Sequence, residues 1–256
     1  MVGSLLLRGM LIGVVAGLVA FVFAYTVGEP LVDYAIAFEE QQAAAETGAA
    51  GSEAMGAEAD EPELVTRGEQ ATIGLVTGLV GYGAAVGGLF ALVFAFAYGR
   101  VGRLGVRATS VLLALAAFVA VVLVPQIKYP ANPPAVGSPE TIGIRTGLFF
   151  IMLVLSLAAM AAVVMLARRL WASHGGWNAT LIAGAAFLVF IAIVQFAMPT
   201  INEVPENFSA DVLWRFRLSS IGIHVILWTV IGLAFGAFAE RQVGDSSGLR
   251  LAGSHR

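Results

Sequence analysis

The chain has no cysteine, only three histidines and little charge: 12 % of its 256 residues are charged, about half the share of a soluble domain. Without thiols it can form no disulfide, iron–sulfur cluster or thiolate metal site. His174, His224 and His255 stand too far apart to pair by spacing. No phosphate-binding loop, HExxH or GxSxG pattern and no pair of intramembrane aspartates is present. Nothing therefore points to an enzyme or to a permanently bound cofactor, and a net charge of -3 offers nothing to nucleic acid.

What fills the space is apolar. Hydrophobic residues make up 59 % of the chain and gather in six runs, at 5–27, 71–98, 108–125, 142–167, 179–198 and 217–239. Each matches the roughly 17–25 residues that cross hydrocarbon as a helix. The connections between them hold nearly all the charge. The expected fold is all-α, a polytopic transmembrane bundle of six helices in a single domain over 1–240, surrounded by lipid, with a flexible tail at 241–256. The first run exceeds the apolar core of a secretory signal, and no small-residue cleavage site follows before Glu29. It is expected to remain as the first membrane helix.

With the N-terminus inside, the short loops obey the positive-inside rule. Arg8, Arg100, Arg103, Arg107, Arg168, Arg169, Arg241, Arg250 and Arg256 then lie inside, nine of the fourteen basic residues, and fifteen of the seventeen acidic residues lie outside. Both termini are expected in the cytoplasm, and the chain in the inner (cytoplasmic) membrane of its cell.

The first outer connection carries Glu29, Pro30, Asp33 and Tyr34 at the helix exit, and Leu31–Phe38 is apolar enough to continue the helix. The acidic, Ala- and Gly-rich insert 41–63 buries too little apolar surface to offset its ordering entropy, and is expected to be disordered. Within the spans, Gly9, Gly13 and Gly17 form a four-residue ladder. Gly74, Gly78, Gly81, Gly83, Gly87 and Gly88 mark the second helix, and Gly232 and Gly236 the sixth. Such ladders let backbones approach closely where lipid gives no hydrophobic drive for association. No repeat at the residue level relates 1–125 to 142–239.

Two dense polar stretches fall on the outer side. The first follows Pro125 and contains Lys128, Pro130, Asn132, Pro133, Pro134, Pro139 and Arg145; so many fixed φ angles predict a shaped loop rather than a linker. Ser138 is placed to cap the fourth helix with Pro139 at its first position and Glu140 in the first turn. The second begins at Gln195 and runs through Pro199, Asn202, Glu203, Pro205, Glu206 and Asp211 to Trp214, Arg215 and Arg217. There an aromatic anchor and headgroup-reaching arginines suit the interface, or one arginine braces Glu203, Glu206 or Glu140.

His224 is the only histidine within a span, and Gln195 lies at similar depth on the fifth helix. Polar groups there face protein or water rather than lipid, so His224 is expected to bond between helices, to serve a gating or proton-linked role, or to ligate a metal with Glu29, Asp33, Glu203 or Glu206. Ser219 and Ser220, one turn away, suit backbone hydrogen bonding better than hydrolysis.

The stretch Lys128–Thr146, KYPANPPAVGSPETIGIRT, resembles the central outer loop of the CbtA family, predicted cobalt transporter subunits that are small polytopic membrane proteins. Pro199–Arg217, with Asn202-Glu-Val-Pro205 and Leu213-Trp-Arg-Phe-Arg217, resembles the family's second characteristic region. The likeness runs from the first helix to about Gly236 and leaves the acidic insert outside. It implies cobalt uptake associated with cobalamin synthesis, with Co²⁺ as cargo. It also implies a small CbtB-like partner with one membrane helix and a histidine-containing terminus, which would account for a histidine-poor chain.

The leading expectation is a membrane subunit for divalent transition-metal uptake. Glu29, Asp33, Glu140, Glu203 and Glu206 would form an outer vestibule for cations, with Gln195 and His224 along the path. The prolines would hold the vestibule's shape, Lys128 and Arg145 would balance or clamp its carboxylates, and Asn132, Asn202, Arg215 and Arg217 would brace the loops. The alternatives are a membrane assembly protein whose glycine-rich helices pack a partner, as a homo- or hetero-oligomer, and a transporter of a small organic solute.

Overall fold

The structure, a computed structural model, describes residues 2–49, 65–100, 102 and 104–253. It holds five long apolar helices: α1 (Gly3–Ala45), α2 (Arg67–Ala97), α3 (Val106–Lys128), α4 (Pro139–Ala197) and α5 (Ala210–Arg241). Among the described residues there is no strand. All six expected apolar runs are helical, but two of them share one helix. No proline or glycine interrupts 168–174, so α4 continues as helix to the Gly-Gly pair. Only Gly175, at φ 71° and ψ 164°, leaves helical geometry. That bend divides α4 into two arms, 142–174 and 176–197, where a loop was expected between separate helices.

Two other boundaries turn on a proline. Pro125 was expected to end the third helix, because a pyrrolidine ring strikes the carbonyl four residues back, whereas Leu31–Phe38 is apolar enough to continue the first helix past Pro30. In both helices a π turn precedes the proline, at Ala24–Gly28 and Phe118–Leu123. The wider turn swings that carbonyl aside, and the helix passes through. α1 thereby runs on to Ala49. Positions 41–49 of the insert expected to be disordered are helical, in keeping with the good helix formers Ala, Gln and Glu; positions 50–63 lie outside the described residues. α5 likewise continues to Gly253, through most of the expected tail, and 254–256 lie outside the described residues.

α1, α2, α3 and α5 form one bundle. Its core joins Ile12 and Ala16 of α1, Phe90, Ala91 and Phe94 of α2, Ala114 and Val122 of α3, and Leu227, Ile231 and Phe235 of α5. Phe235 meets Phe90 and Phe94 edge-on at 5.3 and 5.0 Å. The glycine ladder works as its spacing suggests. A Cβ at Gly13 would strike the Gly83 carbonyl, and one at Gly9 the Gly87 carbonyl, so α1 and α2 touch backbone to backbone. Where α3 meets α5, the buried Ser110 hydroxyl donates to the Gly232 carbonyl at 2.7 Å.

The α4 hairpin sits beside this bundle. Met152 and Ala159 of its first arm pack with Phe187 and Ile191 of the second and with Val124 of α3. Its attachment to α3 lies at the end of the molecule that bears the two proline-rich loops. Most of its large side chains face outward, Phe196 being 91 % exposed and Leu188 68 %. Surfaces of that kind suit hydrocarbon and would aggregate in water. The chain is a multi-pass membrane protein.

Candidate functional site

The end of α1 beyond the π turn, the loop 129–138 and the loop 198–209 close together into a cap. Tyr34 and Phe38 of α1 meet the Phe208 ring edge-on at 6.0 and 5.1 Å. Ala35, Val136, Phe208 and Leu213 are buried between them. The first loop is shaped by more than its prolines: Pro133 is buried, and Ala135 and Gly137 adopt φ 65° and 124°. Gly137 has to be glycine twice over, since a Cβ there would also enter the Arg145 guanidinium. Ser138 caps the following helix as its sequence suggests, accepting from the Glu140 amide at 3.2 Å, with Pro139 next.

Three sets of side chains brace the cap. At the first, Arg67 bridges Glu29 and Asp33, which lie one turn apart on α1; its guanidinium is 2.9 Å from Asp33 and also pairs with Glu29. Arg67 is held there by a capping box, in which the Thr66 hydroxyl accepts from the Glu69 amide and the Glu69 carboxylate accepts from Thr66. The second is built on Glu203. Its carboxylate accepts from the Ser138 amide at 2.7 Å and lies 3.4 Å from Arg145. Hydrogen bonds from the Thr141 hydroxyl and the Ser138 amide, with the Arg145 charge beside them, hold it below the usual carboxylate range. Arg145 in turn donates to the Ser138 carbonyl at 3.1 Å.

The third set fastens the hairpin to the bundle without any ion pair. Lys128 donates to the Thr200 hydroxyl at 2.9 Å, Tyr129 to the Pro199 carbonyl at 2.8 Å, and Gln195 to the Val124 carbonyl at 3.0 Å. Arg217 donates to the Asn132 side-chain carbonyl at 2.9 Å. Arg215 lies 3.8 Å from Asp211 on its own helix. The arginine that braces Glu203 is thus Arg145, and neither Arg215 nor Arg217 pairs with Glu203, Glu206 or Glu140 among the described residues.

The five carboxylates of the expected vestibule therefore divide. Glu29 and Asp33 share Arg67, Glu203 has Arg145, and Glu140 and Glu206 are exposed. Asn202 is exposed too, while Pro130, Pro134 and Pro205 are half-buried. Among the described residues no three His, Asp or Glu side chains come together to hold a metal ion. His224 does not bond between helices. Its Nδ1–H donates to the Ser220 carbonyl one turn back at 2.8 Å, and its ring meets Tyr82 of α2 edge-on at 6.1 Å. Gln195 serves the hairpin and His224 faces α2, so no contact joins the two residues expected along one path. A groove of about 300 Å³ between α3 and α5 is lined by Leu115, Phe118, Trp228 and Leu233. It is apolar and unsuited to a hydrated cation.

Sequence reasoning missed Arg67, Tyr129 and Tyr82. Arg67 is separated from Glu29 by 38 positions that include the insert, and no local pattern links them. Tyr129 could have been found as a lone phenol between a cation and a proline at a helix exit.

A family model described as a probable cobalt transporter subunit, CbtA, matches residues 2–240. That stretch holds all five helices except the end of α5 beyond Glu240, and both loops of the cap. No curated protein and no solved structure matches the chain.

Proposed function

Because the chain belongs to the CbtA family of probable cobalt transporter subunits, we propose that it is the membrane subunit of a divalent transition-metal uptake system, with Co²⁺ as cargo. The observation that carries this reading is the match over 2–240, which takes in the helical body and the cap together. The cap faces outside and both termini face the cytoplasm, in an inner (cytoplasmic) membrane. Glu140 and Glu206, exposed on the cap, draw divalent cations toward it. Glu29 and Asp33 share one arginine and Glu203 has another, so a cation reaches them by displacing or joining a guanidinium. Co²⁺ accepts oxygen and imidazole donors, and His224 is the one imidazole donor that a span offers.

Because the described residues assemble no complete metal site, capture falls to a second subunit, a small CbtB-like membrane peptide with histidines of its own. The chain carries no nucleotide-binding motif, so any hydrolysis that drives uptake also belongs to another subunit. The test is accumulation of radiolabelled Co²⁺ and Ni²⁺ in cells stripped of other importers, with the partner supplied. Accumulation above the empty vector is expected for the wild type. Accumulation equal to the empty vector, with the protein correctly inserted, rejects the transport reading. Normal uptake by Glu203→Ala, Glu206→Ala and His224→Ala would reject the residue assignments alone.

A further inference from the structure

We propose that the tip of the α4 hairpin is a docking surface for anionic phospholipid headgroups in the leaflet on the side of the chain termini. The argument begins at the bend. Gly175 takes φ 71°, and the Trp171 indole lies over Gly176 so closely that a Cβ there would enter the ring. Two indoles are thereby held on either side of one turn, Trp171 59 % exposed and Trp177 77 % exposed. One turn before Trp171, Arg168 and Arg169 are exposed.

The charge of this pair is unanswered. Six other arginines among the described residues contrast with them: Arg67, Arg107, Arg145 and Arg215 have carboxylates, Arg100 a backbone carbonyl, and Arg217 the Asn132 side chain. Among the described residues no carboxylate, carbonyl or ring partners Arg168 or Arg169. Guanidinium forks match phosphate oxygens two at a time, and an indole seats its ring among acyl carbonyls with its N–H toward the headgroup.

Depth agrees with this chemistry. The second arm, 176–197, has about 22 residues and is about 33 Å long at 1.5 Å per residue, close to the hydrocarbon thickness of about 30 Å. With its far end at one interface beside Pro199, Trp177 arrives at the other. Two adjacent uncompensated cations at that level select anionic headgroups over zwitterionic ones, and an indole on each side fits a lipid layer better than an acidic protein surface.

The experiment uses the full chain in proteoliposomes. In the Trp214→Phe/Trp228→Phe variant the remaining indoles are Trp171 and Trp177, so their emission reports the tip. Dibrominated phosphatidylglycerol is expected to quench it more strongly than dibrominated phosphatidylcholine at equal mole fraction. Arg168→Gln/Arg169→Gln should keep the quenching but lose the preference, which corresponds to up to about a thirtyfold enrichment of the anionic lipid. Equal quenching by the two lipids, a preference that survives loss of both arginines, or no quenching by either lipid overturns the proposal. Should the two-Phe variant fail to fold, native mass spectrometry of wild type and Arg168→Gln/Arg169→Gln decides. More phosphatidylglycerol adducts on the wild type support the surface, and equal numbers reject it.

Discussion

Arginines engage three of the five carboxylates of the cap, Glu29, Asp33 and Glu203, and this sets what single substitutions should do. Arg67→Gln would leave the largely buried Glu29 carboxylate without its cation. A fully buried pair broken in this way costs about 3–5 kcal/mol, but Arg67 is about one-third exposed, so a loss of about 1–2 kcal/mol is expected. Thermal unfolding in detergent measures it, and Arg67→Gln combined with Glu29→Gln should recover most of the loss. Glu203 gives a pH signature. Its folded pKa is depressed, so its contribution is complete above the unfolded value of about 4.3 and disappears as pH falls through the lower folded value. Wild type should therefore lose stability on acidification below about pH 4, and Glu203→Gln should lack that part of the loss.

At the scale of elements, the glycines of α1 and α2 are not equivalent. Gly13 faces the Gly83 carbonyl, whereas Gly78 has open space where a Cβ would go. Gly13→Leu should separate the two helices and collapse the yield of monodisperse protein on size exclusion. Gly78→Ala should leave the yield unchanged or raise stability by up to about 1 kcal/mol, the helix propensity difference. Gly175→Ala forces an L-residue to φ 71° and ψ 164°, a region reserved for glycine, at about 1–3 kcal/mol, and should loosen the hairpin tip without touching the cap.

These elements also show what could be read from the chain in advance. The spans were legible because lipid demands long uncharged runs, and the α1–α2 contact because its glycines recur every four residues. The continuation of α1 past Pro30 was legible from the apolar Leu31–Phe38 segment, but the passage of α3 through Pro125 was not, since it depends on a π turn that leaves no mark in the residue pattern. Nor was the continuity of α4 through 168–174, where polarity suggested a loop while helix propensity prevailed. In the cap, Ser138 was legible as a local motif. Arg145 was legible as a clamp on the vestibule carboxylates, but that Glu203 is its partner, and the Arg67 clamp itself, arise only from tertiary approach.

For the whole molecule, the absence of cysteine makes every introduced thiol a unique reporter. Thiols at the exposed Glu140 and Glu206 positions should react with an impermeant maleimide on intact cells. A thiol at His174, on the hairpin tip, should react only after permeabilisation. Labelling of positions 140 and 206 from opposite sides would refute the shared cap as well as the orientation proposed for it.

The length of α1 also has a consequence beyond the bilayer. From Gly3 to Ala45 it has 43 residues, about 65 Å of rod, whereas a bilayer with its headgroups is about 40–45 Å thick. Phe38 is the last of its side chains in the aromatic contacts of the cap, and 39–45 are almost wholly exposed. The helix stands up like a mast, and its exposed Glu39 and Glu40 lie about 10–15 Å beyond the headgroups, more than one Debye length in physiological salt. They draw cations from open solution, outside the ion cloud of the membrane surface.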